Sequence, residues 1–151
     1  MSAAVLRGPI AGRLALAFVA FAACVSACSV SPKREAVTLV AAMDRYQRDA
    51  NGAKVADVQA VAAVACSDGQ VCETKRACLD AIEPTARALA LKDEVSARVD
   101  DLQAKKLAPD APEAQSLPGK LEQATKLLNE GRAKMPLCER KLADLRVAYG
   151  S

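Results

Sequence analysis

Ten residues in the last third of the chain follow alternating steps of four and three: Leu117, Leu121, Ala124, Leu128, Gly131, Met135, Cys138, Leu142, Leu145 and Tyr149. An α-helix turns once in 3.6 residues, so this spacing lays them along one stripe for more than four heptads. A helix with such a stripe must bury it against another helix or a second copy of itself. At ~1.5 Å per residue the rod is ~50 Å long, and its partners must be of similar length. The same chain supplies two candidates. A second segment, about 71–106, carries Cys78, Ile82, Ala86 and Leu89, then Val95, Val99 and Leu102. Its stripe drifts around the axis, as a straight helix requires. A first segment, about 35–66, carries one stripe of Ala36, Leu39, Met43, Tyr46 and Ala50 and another of Val55, Val58, Val61 and Ala65.

Punctuation between the segments is brief. Ser67-Asp68-Gly69-Gln70 separates the first two, and Leu107 to Pro112, with prolines at 109 and 112, separates the second from the third. Short links between segments of similar length place neighbours antiparallel. Alternating Val, Ile, Tyr or Thr closed by turns, the mark of strands, is missing, and Ala and Leu favour helix. The expected fold is therefore all-α: an antiparallel bundle of three long helices. Asn51-Gly52 threatens to split the first segment, because glycine costs ~1 kcal/mol inside a helix. Pro84 and Pro136 each remove a backbone donor and should kink or break their helices. Pro118 is tolerated in a first turn. Resolution into four or five helices is within this expectation. The seam could alternatively pair between chains as a parallel coiled coil.

The N-terminus reads as a targeting segment. Arg7 and Arg13 make it basic, no acidic residue precedes Glu35, and an apolar run starts at Leu14. From Leu14 to Ala27 the run is shorter than the ~20 residues a spanning helix needs. It ends in Val25-Ser26-Ala27-Cys28, which resembles the lipobox of bacterial lipoproteins: a branched aliphatic residue, two small residues, then Cys. Cys24 fits less well, with Phe21 three residues before it. The resemblance implies cleavage before Cys28, a diacylglyceryl group on its sulfur and a further acyl chain on its amine. Two or more chains hold a protein stably on a membrane. Ser29, where Asp would favour inner-membrane retention, implies the outer membrane. The organisation expected is 1–27 signal peptide, 28–34 lipid anchor and tether, and 35–151 helical domain. An ordinary secretory signal cut near Ala20-Phe21-Ala22, or an uncleaved anchor, are the alternatives.

Beyond Cys24 and Cys28, four cysteines remain: Cys66, Cys72, Cys78 and Cys138. An even number in an exported chain implies a disulfide framework, with three possible connectivities. Cys66 and Cys72 lie symmetrically about Gly69, at the tip of the first helix–helix turn. Cys78 and Cys138 sit at similar heights when counted outward from the second turn. Cys66–Cys72 with Cys78–Cys138 is the preferred pairing; Cys66–Cys78 with Cys72–Cys138 is the runner-up.

Functional chemistry is sparse. The chain has no histidine, which removes imidazole metal ligands, histidine-based triads and Cys-x-x-Cys-His haem attachment. No cofactor or metal site is expected. Thiols held as disulfides do not bind zinc, and there is no Cys-x-x-Cys redox centre. Asp93-Glu94 and Asp100-Asp101 are the nearest thing to paired catalytic carboxylates. Adjacent helical positions point apart, and a solvated surface with pairs such as Asp101–Lys105 explains them better. The chain is not expected to be an enzyme. Lys and Arg total 21 against 18 Asp and Glu, and two of the basic residues lie in the leader. The charges alternate without a basic block, and Tyr46 and Tyr149 are the aromatics past the leader. Nucleic acid is not an expected partner. The expected role is structural or protein-binding at the cell envelope, with the membrane as partner through the anchor and another envelope protein as a possible second. A homo-oligomeric spacer and a periplasmic thiol-based sensor are the alternatives. The spacer resembles peptidoglycan-linked lipoproteins only in being small, helical and heptad-bearing, and the ending Ala148-Tyr149-Gly150-Ser151 lacks their terminal Lys.

Overall fold

A computed structural model describes residues 31–150, which are helical without any strand. Helix α1 spans Pro32–Arg48, α2 Lys54–Ala63, α3 Gly69–Gln103, α4 Pro112–Gln115 and α5 Leu117–Tyr149. The first segment is thus two helices rather than one, parted by a 3₁₀ turn at Asn51–Ala53 where Asn51-Gly52 weakens the helix. Two long helices stand where three were expected.

Local chemistry sets each boundary. Ser31 caps α1 by accepting from the Arg34 N–H at 3.3 Å, and Pro32 follows, where its missing donor costs nothing. Asp68 caps α3, its Oδ1 accepting from the Gln70 and Val71 N–H groups at 2.9 and 3.1 Å. Helix α3 ends with Lys105 at φ 56°, and α5 ends at Gly150 with φ 63°, the left-handed stop that glycine takes without strain. The expected Asp101–Lys105 pair does not form. Lys105 has left the helix, and Asp101 accepts instead from Arg98 at 3.3 Å. Helix α3 is continuous through Pro84 and α5 through Pro136; neither proline breaks its helix.

Helices α3 and α5 run antiparallel along their length. Glu73 meets Lys141, Cys78 meets Cys138 and Glu94 meets Lys120, so residue numbers rise on one helix as they fall on the other. Of the predicted seam, Leu117, Ala124, Gly131, Cys138 and Leu145, spaced seven apart, are all buried. The residues at the centre of this row are small, and Ala81 and Ala88 on α3 are fully buried as well. A Cβ on Gly131 would lie 2.6 Å from the Ala81 carbonyl oxygen and collide with the Thr85 hydroxyl. Glycine is required there because the two backbones come so close.

The other row of the seam departs from expectation. Leu121 is 45% exposed, Leu128 and Met135 are half-buried, and only Leu142 is enclosed. The reason is where α1 and α2 lie. The core joins Ala36, Leu39, Met43 and Tyr46 of α1 and Val61 of α2 to Val71, Cys78 and Ile82 of α3 and to Cys138, Leu142 and Leu145 of α5. These helices cover only one end of the α3–α5 pair. Past about Leu89 the pair continues uncovered as an arm of ~20 Å. Helix α2 is also turned from its expected face: Lys54, Asp57, Val61 and Val64 are buried, while Val55 is 49% exposed.

Candidate functional site

Buried polar groups explain the turn of α2. Arg45 Nε donates to Asp57 Oδ1 at 3.0 Å, with Asp57 almost fully enclosed. The Lys54 ammonium donates to the Tyr46 carbonyl oxygen and lies 4.4 Å from the centre of the Tyr46 ring. Together these close the α1–α2 hairpin, because each buried charge has an opposite charge, a carbonyl or a ring face to replace water. Among the described residues, Asp57 Oδ2 and the Tyr46 hydroxyl are buried without a hydrogen-bond partner. Burial, and then the Asp57 carboxylate, push the Tyr46 hydroxyl above its ordinary pKa. Neither Lys54 nor Asp57 was singled out by sequence. Their spacing of three, just after Asn51-Gly52, was the available signal.

A second polar clamp holds the α2–α3 turn. Glu35 is buried, and its carboxylate accepts from the Ser67 N–H and the Ser67 hydroxyl, each at 2.8 Å, and weakly from the Asp68 N–H at 3.5 Å. The Ser67 backbone bond is the main reason its carboxyl sits below the ordinary 4.5. Asp68 is lowered too, first by the Val71 N–H and then by the Tyr149 hydroxyl. A carboxyl whose folded pKa is depressed adds stability that is present above its unfolded pKa and disappears as pH falls through the folded one. Melting temperature should therefore decline as pH is lowered from about 5 to 3. Glu35→Gln should flatten part of that decline, and an unchanged slope in thermal melts would place the sensitivity elsewhere.

The four cysteines meet within this frame. Cys66 and Cys72 are bonded with Cα atoms 5.1 Å apart across the turn. Cys78 and Cys138 are bonded with Cα atoms 4.6 Å apart where α3 and α5 face each other. The structure shows the preferred connectivity and not Cys66–Cys78 with Cys72–Cys138. The two bonds differ in setting. Cys78 and Cys138 are fully buried in the core, whereas Cys66 and Cys72 line an open cleft of ≈ 450 Å³ with Lys75, Arg76, Leu79, Asp80 and Glu83.

No family model matches the chain, and no curated protein or solved structure does.

The remaining sequence candidates are dispersed. Cys28, with its lipobox Val25-Ser26-Ala27, lies outside the described residues. Glu94 pairs with Lys120 at 2.5 Å, and Asp101 pairs with Arg98, so these acids are parts of a charged surface. Among the described residues no group of three or more acidic or thiol side chains is placed to hold a metal ion, and no helix is long and apolar enough to cross a membrane.

Proposed function

We propose that the chain is a lipid-anchored protein of the bacterial cell envelope, tethered through Cys28, with a structural or protein-binding role rather than a catalytic one. The observation that carries the reading is Val25-Ser26-Ala27-Cys28 at the end of a basic, then apolar, leader. Two further observations support it. Paired thiols suit an oxidising compartment outside the cytoplasm. The first described residue, Ser31, also follows Cys28 by only three positions. Its helix starts at the end where Glu35 reaches the 67–68 turn and where Tyr149 joins the core. A lipid on Cys28 then sits beside the covered end of the bundle. The uncovered α3–α5 arm, with Val99 37% exposed and Leu121 half in solvent, is carried away from the membrane and is the part best placed to meet another envelope protein.

On this reading the described helices form an antiparallel, disulfide-stapled bundle that is three layers deep at its membrane end. The spacer reading is less well supported, since the row from Leu117 to Leu145 packs against α3 of the same chain and is not free to pair with a copy. Metabolic labelling with a radioactive fatty acid tests the anchor. Label should enter the wild-type protein, vanish in Cys28→Ser and persist in Cys24→Ser. Label retained in Cys28→Ser, or a native chain that stays unlabelled in the cytosol, would overturn it.

A further inference from the structure

We propose that Cys66–Cys72 is a thiol-exchange site, open in the folded protein to small carboxylate-bearing thiols, while Cys78–Cys138 is inert to them. This chemistry does not depend on how the chain is anchored. Access separates the two bonds. Exchange requires a thiolate to reach one of the two sulfurs. Cys78 and Cys138 are sealed in the core, whereas Cys66 and Cys72 stand at the wall of an open cleft. The cleft is within the size range of small-molecule sites.

Electrostatics select the direction of attack. Cys72 lies in the first turn of α3, at the positive end of the helix dipole, and Lys75 and Arg76 follow one turn on. The Lys75 ammonium donates to the Val64 carbonyl oxygen at 2.6 Å, which holds it beside the segment that carries Cys66. Opposing charges also face the region. Asp68 has one oxygen occupied by the Gln70 and Val71 N–H groups, and Glu35 is held by Ser67. Glu73 is paired with Lys141, and Asp80 and Glu83 line the cleft further along α3. Lys75 and Arg76 lie one turn from Cys72 on the same helix, so Cys72 is the better leaving thiolate. The incoming thiolate therefore attacks Cys66 Sγ. A new sulfur–sulfur bond forms to Cys66, the Cys66–Cys72 bond breaks, and its electron pair leaves on Cys72. A second thiol molecule then attacks the sulfur of the first and releases Cys66. The reagent ends as its own disulfide, and two electrons and two protons have passed to the cysteine pair. Lys75 and Arg76 are also the groups that would receive the reagent's carboxylates.

The test uses the oxidised full chain with reduced glutathione as probe, alkylation of freed thiols and peptide mapping, at a temperature where far-UV circular dichroism shows intact helix. Cys66 and Cys72 should become alkylatable about tenfold or more faster than Cys78 and Cys138. The double variant Lys75→Met with Arg76→Met should slow glutathione severalfold and leave neutral 2-mercaptoethanol nearly unaffected. The free Cys72 of Cys66→Ser should alkylate with a lower pH midpoint than the free Cys66 of Cys72→Ser. A single common rate for both bonds, equal to the unfolding rate, would overturn the proposal. Equal slowing of both reagents would remove the recognition of carboxylates, and a lower midpoint for Cys66 would reverse the assigned direction.

Discussion

Cys138→Ser is expected to lower stability by about 4 kcal/mol, because the bond it removes closes a loop between residues 60 apart. Chain entropy sets the scale: a cross-link restricts the unfolded chain more as its loop grows. For a domain of this size the loss corresponds to roughly 15 °C in melting temperature. The serine hydroxyl introduced by this change would occupy a fully buried position among apolar neighbours, which adds to the loss. Cys72→Ser opens a loop of separation 6 and should cost only about 2 kcal/mol. Thermal melts of both variants, with alkylation of the unpaired cysteine after unfolding, check the order. If Cys72→Ser proved the more damaging, the loop-length account would fail, and the α2–α3 turn would be the dominant staple.

Gly131→Ala provides a test in which two principles oppose each other. On helix propensity alone the change should stabilise by about 1 kcal/mol, since glycine is costly in mid-helix. The structure predicts the reverse. The new methyl would press on the Ala81 carbonyl oxygen, which is main chain and cannot rotate away, and on the Thr85 hydroxyl. Overpacking of this kind costs about 1–3 kcal/mol, and here α3 and α5 would have to separate beside Cys78–Cys138. The net expectation is a loss of up to about 2 kcal/mol for Ala and more for Val. Denaturant melts on the oxidised proteins decide the sign. A stabilised Gly131→Ala would show that the helices are further apart than described. Gly119, with nothing near its Cβ direction, is the internal control: Gly119→Ala should be neutral or stabilising.

The all-helical class and the cysteine partners were legible because both rest on periodicity and on counting along helices. Leu117, Ala124, Gly131, Cys138 and Leu145 were recognisable as the inner row of a seam, since a spacing of seven puts them on one side of any helix. How deeply Leu121 and Leu128 are buried was not legible. Their row looks the same as that of Leu142, and what differs is whether α1 reaches them. That in turn depends on the chain turning back at Asn51–Ala53 rather than continuing as one rod. The inward face of α2 was hidden for another reason. Apolar spacing favoured Val55, and the face was decided by Arg45 finding Asp57 and by Lys54 finding the Tyr46 carbonyl, contacts between residues on different helices. The prolines did not divide their helices: α3 continues through Pro84, which is itself buried, so a break, one of the two outcomes expected of it, does not occur.

Both ends of the described chain lie at the covered end of the bundle, and Cys78–Cys138 crosses the helix pair just beyond. This gives the oxidised molecule a particular mechanical character. Tension applied between its two ends can peel away α1, α2 and the outermost turns of α3 and α5, but at the cross-link the load passes directly from one sulfur to the other. The sixty-residue stretch between Cys78 and Cys138 is then shielded from the pull. Roughly 200 Å of extensible backbone stays folded and out of reach until that bond is reduced.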